Sequence, residues 1–534
     1  MDWLSKAVSL KMSIVDVTAF GRSEVGWIGA DPPAEAKAPF QDRGLTIRQQ
    51  QITAFQPMEP ALLASLAAVV IVQQQDYPSR FQRIVRSCLK HLLDYECRVF
   101  VVPFGVAGLP QVYRCLEEAR VFASNLPSDV LRNQFTWQRS LGDPMPLPPL
   151  PHVTILSPIA NWSEAANFLV RHLPGEAVQE SVSFSFAPEC EFGENDAGVG
   201  QVLLKRAFRG YTAVHFSPMT EGRSGAAVYR AYPVFGAFHT MPRFVKLGDR
   251  SKIFQEFQNY QLNVEKYVPF NLGPRLNYDL CCLGSTRGVL VGDLIESCES
   301  LRLAARSGRA GPAISCLFDR TLQAWYRNIE RRDTPLSQTL GPRFPKQFDR
   351  RRMQRARSIG SRCDRDRLFT LFEYCASSPV LFAKIHGDLH VDNVQVRGHE
   401  ALVIDFYANQ DGPLVWDIAT LEASLLVDAF DNHELWSFDE WWRSIEQPYG
   451  GKPLDMLLGH GDPRDPHRWF HEAVRQIRHY AARVASADQY GAALALALLN
   501  KAAKDPNLKG PEDERRAAAY VLAERILNNN FAPQ

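Results

Sequence analysis

Over the first third of the chain, short apolar runs alternate with stretches whose apolar residues recur at helical spacing. Residues 67–72 (AAVVIV), 97–104 (CRVFVVPF) and 152–158 (HVTILSP) read as buried strands. Residues 79–96, 110–126 and 163–173 carry the 3.6-residue rhythm of helices, the last with Ser163 as N-cap and Glu164 in a favourable first turn. Strands alternating with helices predict a parallel sheet with right-handed crossovers. The expected organisation is a loose N-terminal arm over 1–45, without clear period, and then an α/β domain over 46–180. The proline-rich stretch 142–152 belongs on its surface.

From about residue 180 the texture becomes strand-rich. Segments 181–186, 211–218, 226–234 and 242–248 alternate and are bounded by turn residues, which predicts an antiparallel sheet. A helix-like run, 249–268, and a strand pair around 276–284 and 287–295 close this part, 181–296. Beyond it, 297–534 reads as mainly helical.

Length and composition narrow the classes. At 534 residues the chain exceeds what one hydrophobic core usually supports. A net charge of +1 gives no global field toward nucleic acid or an acidic membrane, and no nucleic-acid partner is expected. The ten cysteines are scattered without CxxC or zinc spacing, which predicts reduced thiols and a cytoplasmic location. The N-terminus lacks the pattern of a secretion signal, and the apolar run 61–72 is shorter than the ~20 residues that span a bilayer. The α/β part carries neither GxGxxG nor GxSxG, nor acidic residues at its strand ends, and is read as a binding or assembly module with a protein as its candidate partner.

One polar stretch lies pinned between apolar segments: KIHGDLHVDN, 384–393, followed by the strand ALVIDF, 401–406. Asp388 and Asn393 lie five apart, and Asp405 ends the strand twelve positions later. A loop carboxylate, an amide oxygen and a carboxylate from an adjoining hairpin can converge on one point. Mg²⁺-assisted phosphoryl transfer needs such a set: Asp388 to accept or orient the attacking hydroxyl, Asn393 and Asp405 to hold the metal. His386 and His390 are expected to position the loop rather than to catalyse, and Asp392 to be exposed.

HGDLHVDNV and LVIDF resemble the catalytic and metal-binding motifs of aminoglycoside phosphotransferases and choline kinases, the small-molecule branch of the protein-kinase-like fold. The resemblance covers about 185–530 and includes Asp417, which matches an aspartate that is usually structural. It implies an α+β bilobal kinase-like domain, with 181–296 as N-lobe and 297–534 as helical C-lobe, and ATP and Mg²⁺ as cofactors. It also implies that Lys246 contacts the α- and β-phosphates with Glu256 as its partner, and that the turn TEGRSG, with Gly222, Ser224 and Gly225, covers the phosphates. The adenine hinge is expected near Val291–Ile295. The chain departs from relatives at Val391-Asp392, where Pro-Gly-like pairs are common, and from protein kinases at Tyr407-Ala408, where they carry glycine.

The expected activity is transfer of the γ-phosphoryl group of ATP to a hydroxyl of a small molecule. Asp417 follows Asp405 by only twelve positions, too few for a peptide-docking activation segment. The alternatives are a protein-directed kinase and a nucleotide-binding pseudokinase in a signalling assembly, the first encouraged by the extra N-terminal domain and the second disfavoured by the intact Asp388, Asn393 and Asp405. Carboxylates and indoles over 428–472 suit a cationic or sugar-like acceptor, or equally an amphipathic helix over the core. The run 343–367, with ten basic and three acidic residues, is a solvated helix face or a dock for an acidic partner.

Overall fold

A computed structural model describes residues 22–49, 66–73, 92–103, 108–112, 123–126, 153–156, 162–166 and 182–190 with single-residue gaps, and then 198–219, 226–284, 286–374, 379–430, 438–455 and 467–531. Six short strands open it: β1 (Glu24–Ile28), β2 (Thr46–Gln49), β3 (Leu66–Val72), β4 (Arg98–Val102), β5 (Ala123–Leu126) and β6 (Val153–Leu156). They form one sheet in the order β2-β1-β3-β4-β6-β5, and every pairing is parallel. β3 is apolar along nearly its whole length and buried from Leu66 to Ile71, as a central parallel strand covered on both faces must be.

The pairings correct two expectations. Residues 24–49 are not a loose arm: β1 lies inside the sheet, and α1 (Ala34–Gln41) returns the chain to β2. Trp27 and Phe40 are buried in the same core, and the Trp27 ring lies 5.1 Å from that of Trp162, tilted by 49°. The helix expected over 110–126 ends early, because Ala123–Leu126 pairs with β6; edge pairing overrides helical spacing there. Most of 79–96, and Glu164 beside the expected cap, lie outside the described residues.

A second sheet follows, with β7 (Ser183–Phe186), β8 (Ala213–Pro218), β9 (Ala227–Phe235), β10 (Phe238–His239), β11 (Arg243–Asp249), β12 (Cys282–Leu283) and β13 (Arg287–Asp293). It is antiparallel except at β7–β8, which run parallel because α2 (Val199–Ala207) makes the crossover between them. Leu203, Leu204 and Phe208 cover one face, against Tyr229, Ala231, Val245, Leu247, Val289 and Val291. The sheets keep separate cores, yet they belong to one compact unit, 1–254 with 276–294. Arg206 of α2 joins them, donating to Asp94 O at 2.8 Å and to Leu283 O at 3.1 Å. A Cβ on Gly284 would come within 2.6 Å of Asp94 Oδ1, so a larger residue there would push the Asp94 carboxylate aside.

The second compact unit comprises 255–275 and 295–534, so the chain passes between units inside α3 (Arg250–Asn259) rather than near residue 180. Its helices are α4 (Leu301–Arg306), α5 (Ala310–Cys316), α6 (Leu336–Leu340), α7 (Arg350–Ile359), α8 (Arg365–Glu373), α9 (Leu414–Asp428), α10 (Phe438–Glu446), α11 (Arg468–Val484), α12 (Ala487–Ala503) and α13 (Pro511–Phe531). Two three-stranded sheets complete it: β14 (Glu299–Ser300) with the hairpin of β17 (Val394–Arg397) and β18 (Glu400–Val403), and β15 (Glu330–Arg332) beside β16 (Val380–Ile385) and β19 (Gln410–Pro413). No described helix is long and apolar enough to cross a membrane.

α9 is buried almost all round and still carries three carboxylates. Glu422 is matched by Arg478 at 2.8 Å and by the Tyr490 hydroxyl, all three buried. Replacing Arg478 by Met leaves Glu422 charged and without its cation in the interior. Denaturant unfolding of the full chain should show a loss of about 3–5 kcal/mol; a loss below about 1 kcal/mol would mean that Glu422 does not depend on the pair.

Candidate active site

β16 carries the chain into the loop, and α9 holds it there. The buried carboxylate of Asp417 accepts the His386 N–H at 2.7 Å on Oδ2 and the Gly387 N–H at 2.9 Å on Oδ1. Trp416 Nε1 donates to Gly387 O at 3.1 Å, and Val391 N–H donates to Ser424 Oγ at 3.1 Å. Burial pushes the Asp417 carboxyl upward, and the charge of His386 and the two N–H donors work against that shift. Gly387 has φ +84°, and a Cβ there would lie 2.2 Å from Ala408 O, so only glycine fits the turn.

The turn leaves Asp388 at the surface of the loop with its side chain about half exposed. Asn393 Nδ2 donates to Asp388 O at 2.9 Å, which commits the amide nitrogen and leaves the amide oxygen as the end that could accept or ligate. Val394 pairs with Val403 across the β17–β18 hairpin, and Ile404 N–H donates to Asn393 O at 3.0 Å. That register sets Asp405 one residue beyond the hydrogen-bonded pair, in a left-handed conformation with φ +63°. Phe406 then turns inward, its ring packing at 5.7 Å from His386, 6.3 Å from Trp325 and 6.5 Å from Tyr260. Asn259 fastens the same turn, donating to Phe406 O at 2.8 Å and Tyr407 O at 3.0 Å.

Asp388, Asn393 and Asp405 thus lie in one compact unit, on a loop and hairpin joined by the Asn393–Asp388 and Ile404–Asn393 hydrogen bonds. Two oxygen donors of the right kind for a hard cation are present in Asn393 and Asp405. Among the described residues no group of three His, Cys, Asp or Glu gathers to hold a metal, so a cation here needs ligands from phosphates and water. Lys246 lies mid-strand in β11, on the sheet face opposite the buried Val245 and Leu247. Glu256 is buried in α3, one turn before Asn259. By compact unit Lys246 belongs to the first and Glu256 to the second. Gly222, Ser224 and Gly225 lie outside the described residues.

Both histidines contact backbone groups. His386 Nε2 lies 2.9 Å from Ile404 O. His390 Nδ1 accepts the Asp392 N–H at 3.3 Å; burial, reinforced by Lys501, pushes its pKa down to about 4 against the pull of three aspartates, so the ring is neutral near pH 7. Asp392 is not simply exposed: it is partly buried and paired with Arg302 at 2.6 Å. Although its side chain is half exposed, crowding around Asp388 disfavours its carboxylate, and the positive charges there, Lys504 foremost, outweigh this and hold the group below the usual carboxylate range. Asn259 and Lys504 escaped the sequence reading, since nothing local marks residues whose partners lie more than a hundred positions away.

Residues 320–451 match the model of the phosphotransferase enzyme family. Over that segment the chain is similar to the phosphotransferase enzyme family. The resemblance read from the loop motifs is borne out there, and the segment contains Asp388, Asn393, Asp405 and Asp417. No curated protein matches the chain by sequence. Among solved structures, amicoumacin kinase hAmiN in complex with AMP-PNP, Ca2+ and Ami is 12% identical over 59% of this chain and 88% of that one, with a TM-score of 0.32. A putative fructosamine-3-kinase from Haemophilus somnus 129PT is 12% identical over 61% and 96%, with a TM-score of 0.35. A choline kinase from Cryptosporidium parvum Iowa II is 9% identical over 58% and 89%, with a TM-score of 0.28. Likeness at these scores decides nothing by itself.

Asp417→Asn tests the anchor. An amide keeps one acceptor but sets N–H against N–H at the other, so stability to denaturant should fall by about 1–3 kcal/mol. An unchanged midpoint would show that the loop does not depend on this carboxylate.

Proposed function

We propose that the chain is an ATP- and Mg²⁺-dependent phosphotransferase that moves the γ-phosphoryl group to a hydroxyl of a small molecule. The observation that supports this reading is the half-exposed Asp388 on a loop anchored at His386, Gly387 and Val391, with Asn393 bonded to its backbone and the hairpin that leads to Asp405 bonded to Asn393. Positioning supplies most of phosphoryl-transfer catalysis, so a polar loop with a rigid backbone is what the reaction needs. Asp388 accepts the proton of the acceptor hydroxyl as that oxygen bonds to the γ-phosphorus; the bond from that phosphorus to the bridging oxygen breaks and ADP leaves. Asn393 and Asp405 would hold Mg²⁺, which neutralises phosphate charge when bound. Lys246, Glu256 and the turn with Gly222, Ser224 and Gly225 serve the nucleotide in this reading, on the strength of the family resemblance.

A small acceptor is favoured over a protein. After Asp405 the chain forms β19, Gln410–Pro413, and enters α9 at Leu414, with no segment free to dock a peptide. A cytoplasmic setting remains part of the proposal, and so does a protein partner for the N-terminal domain.

Two substitutions test the roles. Asp388→Asn keeps shape and removes the proton acceptor; turnover should fall by roughly two to four orders of magnitude while ATP affinity holds. Near-normal transfer would reassign the base. Asp405→Ala should weaken ATP binding in the presence of Mg²⁺ and leave metal-free binding unchanged, read by titration calorimetry. Equal affinities with Mg²⁺ present would refute the metal role. Labelled ATP with a soluble cell extract then shows whether label ends on small molecules or on protein.

A further inference from the structure

The carboxylate assigned as the base does not stand alone at the surface. Lys504 Nζ lies 3.8 Å from Asp388 Oδ1, and both side chains are about half exposed. Lys504 follows α12 directly, 116 positions from Asp388 in sequence, and its place is built rather than incidental. Arg352, wholly buried, donates to Ala502 O and Lys504 O at 2.6 Å each and to Asp505 O at 2.7 Å, while its Nε meets Asp513 at 2.7 Å. Arg516, equally buried, donates to Lys501 O at 2.8 Å and meets Asp505 Oδ2 at 3.0 Å. Asp505 adopts φ +52°, a strained conformation for a non-glycine residue that this clamp sustains. An exposed ion pair adds little to stability, so two buried arginines gripping this turn are not explained by the Lys504–Asp388 contact alone.

The remaining charges near the base point the same way. Arg343, stacked on Trp416 at 5.0 Å, adds positive field at Asp388, as does Lys501. The neighbouring carboxylates are already matched: Asp428 by Lys501 and Arg516, Asp392 by Arg302, Asp505 by Arg516 and Asp417 by backbone N–H groups. A polycationic acceptor approaching Asp388 would meet repulsion from Lys504. Resting on the phosphotransferase reading above, we propose that Lys504 is a specificity-determining residue and that the acceptor carries an anionic group, phosphate or carboxylate, close to the hydroxyl that Asp388 activates. Lys504 then recognises the anion while the hydroxyl meets the base, and the clamp sets their separation.

The test uses the full chain, Mg²⁺ and γ-labelled ATP with a small-molecule extract divided on anion and cation exchangers. Label should pass to a component retained by the anion exchanger. Transfer only to cation-retained or unretained material overturns the inference and leaves the phosphotransferase reading standing. Transfer to no fraction takes down that reading and the inference with it. Phosphatase treatment of the active fraction beforehand separates the sources, since it abolishes acceptance for a phosphate and spares it for a carboxylate. With that fraction, Lys504→Glu should raise the half-saturating amount of acceptor at least about tenfold at unchanged KM for ATP, and Lys504→Arg should restore it. A rise in the KM for ATP instead would assign Lys504 to the nucleotide and overturn the proposal.

Discussion

The geometry of the site depends on one buried carboxylate. Asp417 is fully buried and accepts two consecutive backbone N–H groups, those of His386 and Gly387. A carboxylate without solvent is costly unless its oxygens are matched, so the loop and the first turn of α9 need each other. The left-handed Gly387 follows, because the chain must turn sharply after offering both N–H groups to one side chain. Asp388 faces outward only because that turn is made. The Asn393 amide and the Ile404–Asn393 bond then carry the same constraint across the hairpin to Asp405.

Around this anchor the helical unit uses buried charge as structure. Arg478 with Glu422, Lys501 with Asp428, and Arg352 with Asp513 each place a cation inside the protein against a carboxylate brought from a distant helix. Such pairs contribute little net stability, because desolvation offsets attraction, but they penalise any arrangement that separates the partners. Their use here is registry: they decide which turn of α12 and α13 faces the loop. The basic run 343–367 is partly absorbed in this way, with Arg343 on Trp416, Arg352 buried and Arg355 paired with Glu514, so it is not simply a solvated face.

The chemistry of the loop was legible in the sequence because its residues are close together. Asp388, Asn393 and Asp405 fall within eighteen positions, and a loop followed by a hairpin can bring them together with few alternatives. The parallel sheet was legible for the same reason, as apolar runs of strand length alternated with helical spacing. What failed was edge and crossover behaviour. Glu24–Ile28 looked like part of an arm because one strand of five residues carries almost no periodic signal, and it becomes a strand only by pairing with β2 and β3. Ala123–Leu126 continues a helical pattern and is a strand because β6 offers it an edge.

By itself the sequence determined the type of the central strands and of the long amphipathic helices, the oxygen-rich loop and the short passage from Asp405 to Asp417, all of which are local properties of neighbouring residues. Tertiary structure alone decided that Asn259 would fasten the turn after Asp405 and that Arg206 would tie one sheet to the other. It alone brought Lys504 to Asp388 from more than a hundred positions away. The physical reason is that a charged or polar side chain has no periodicity to announce its partner. Its role is set by the field and hydrogen-bonding groups it meets after folding, and those come from chain segments that the local pattern does not connect.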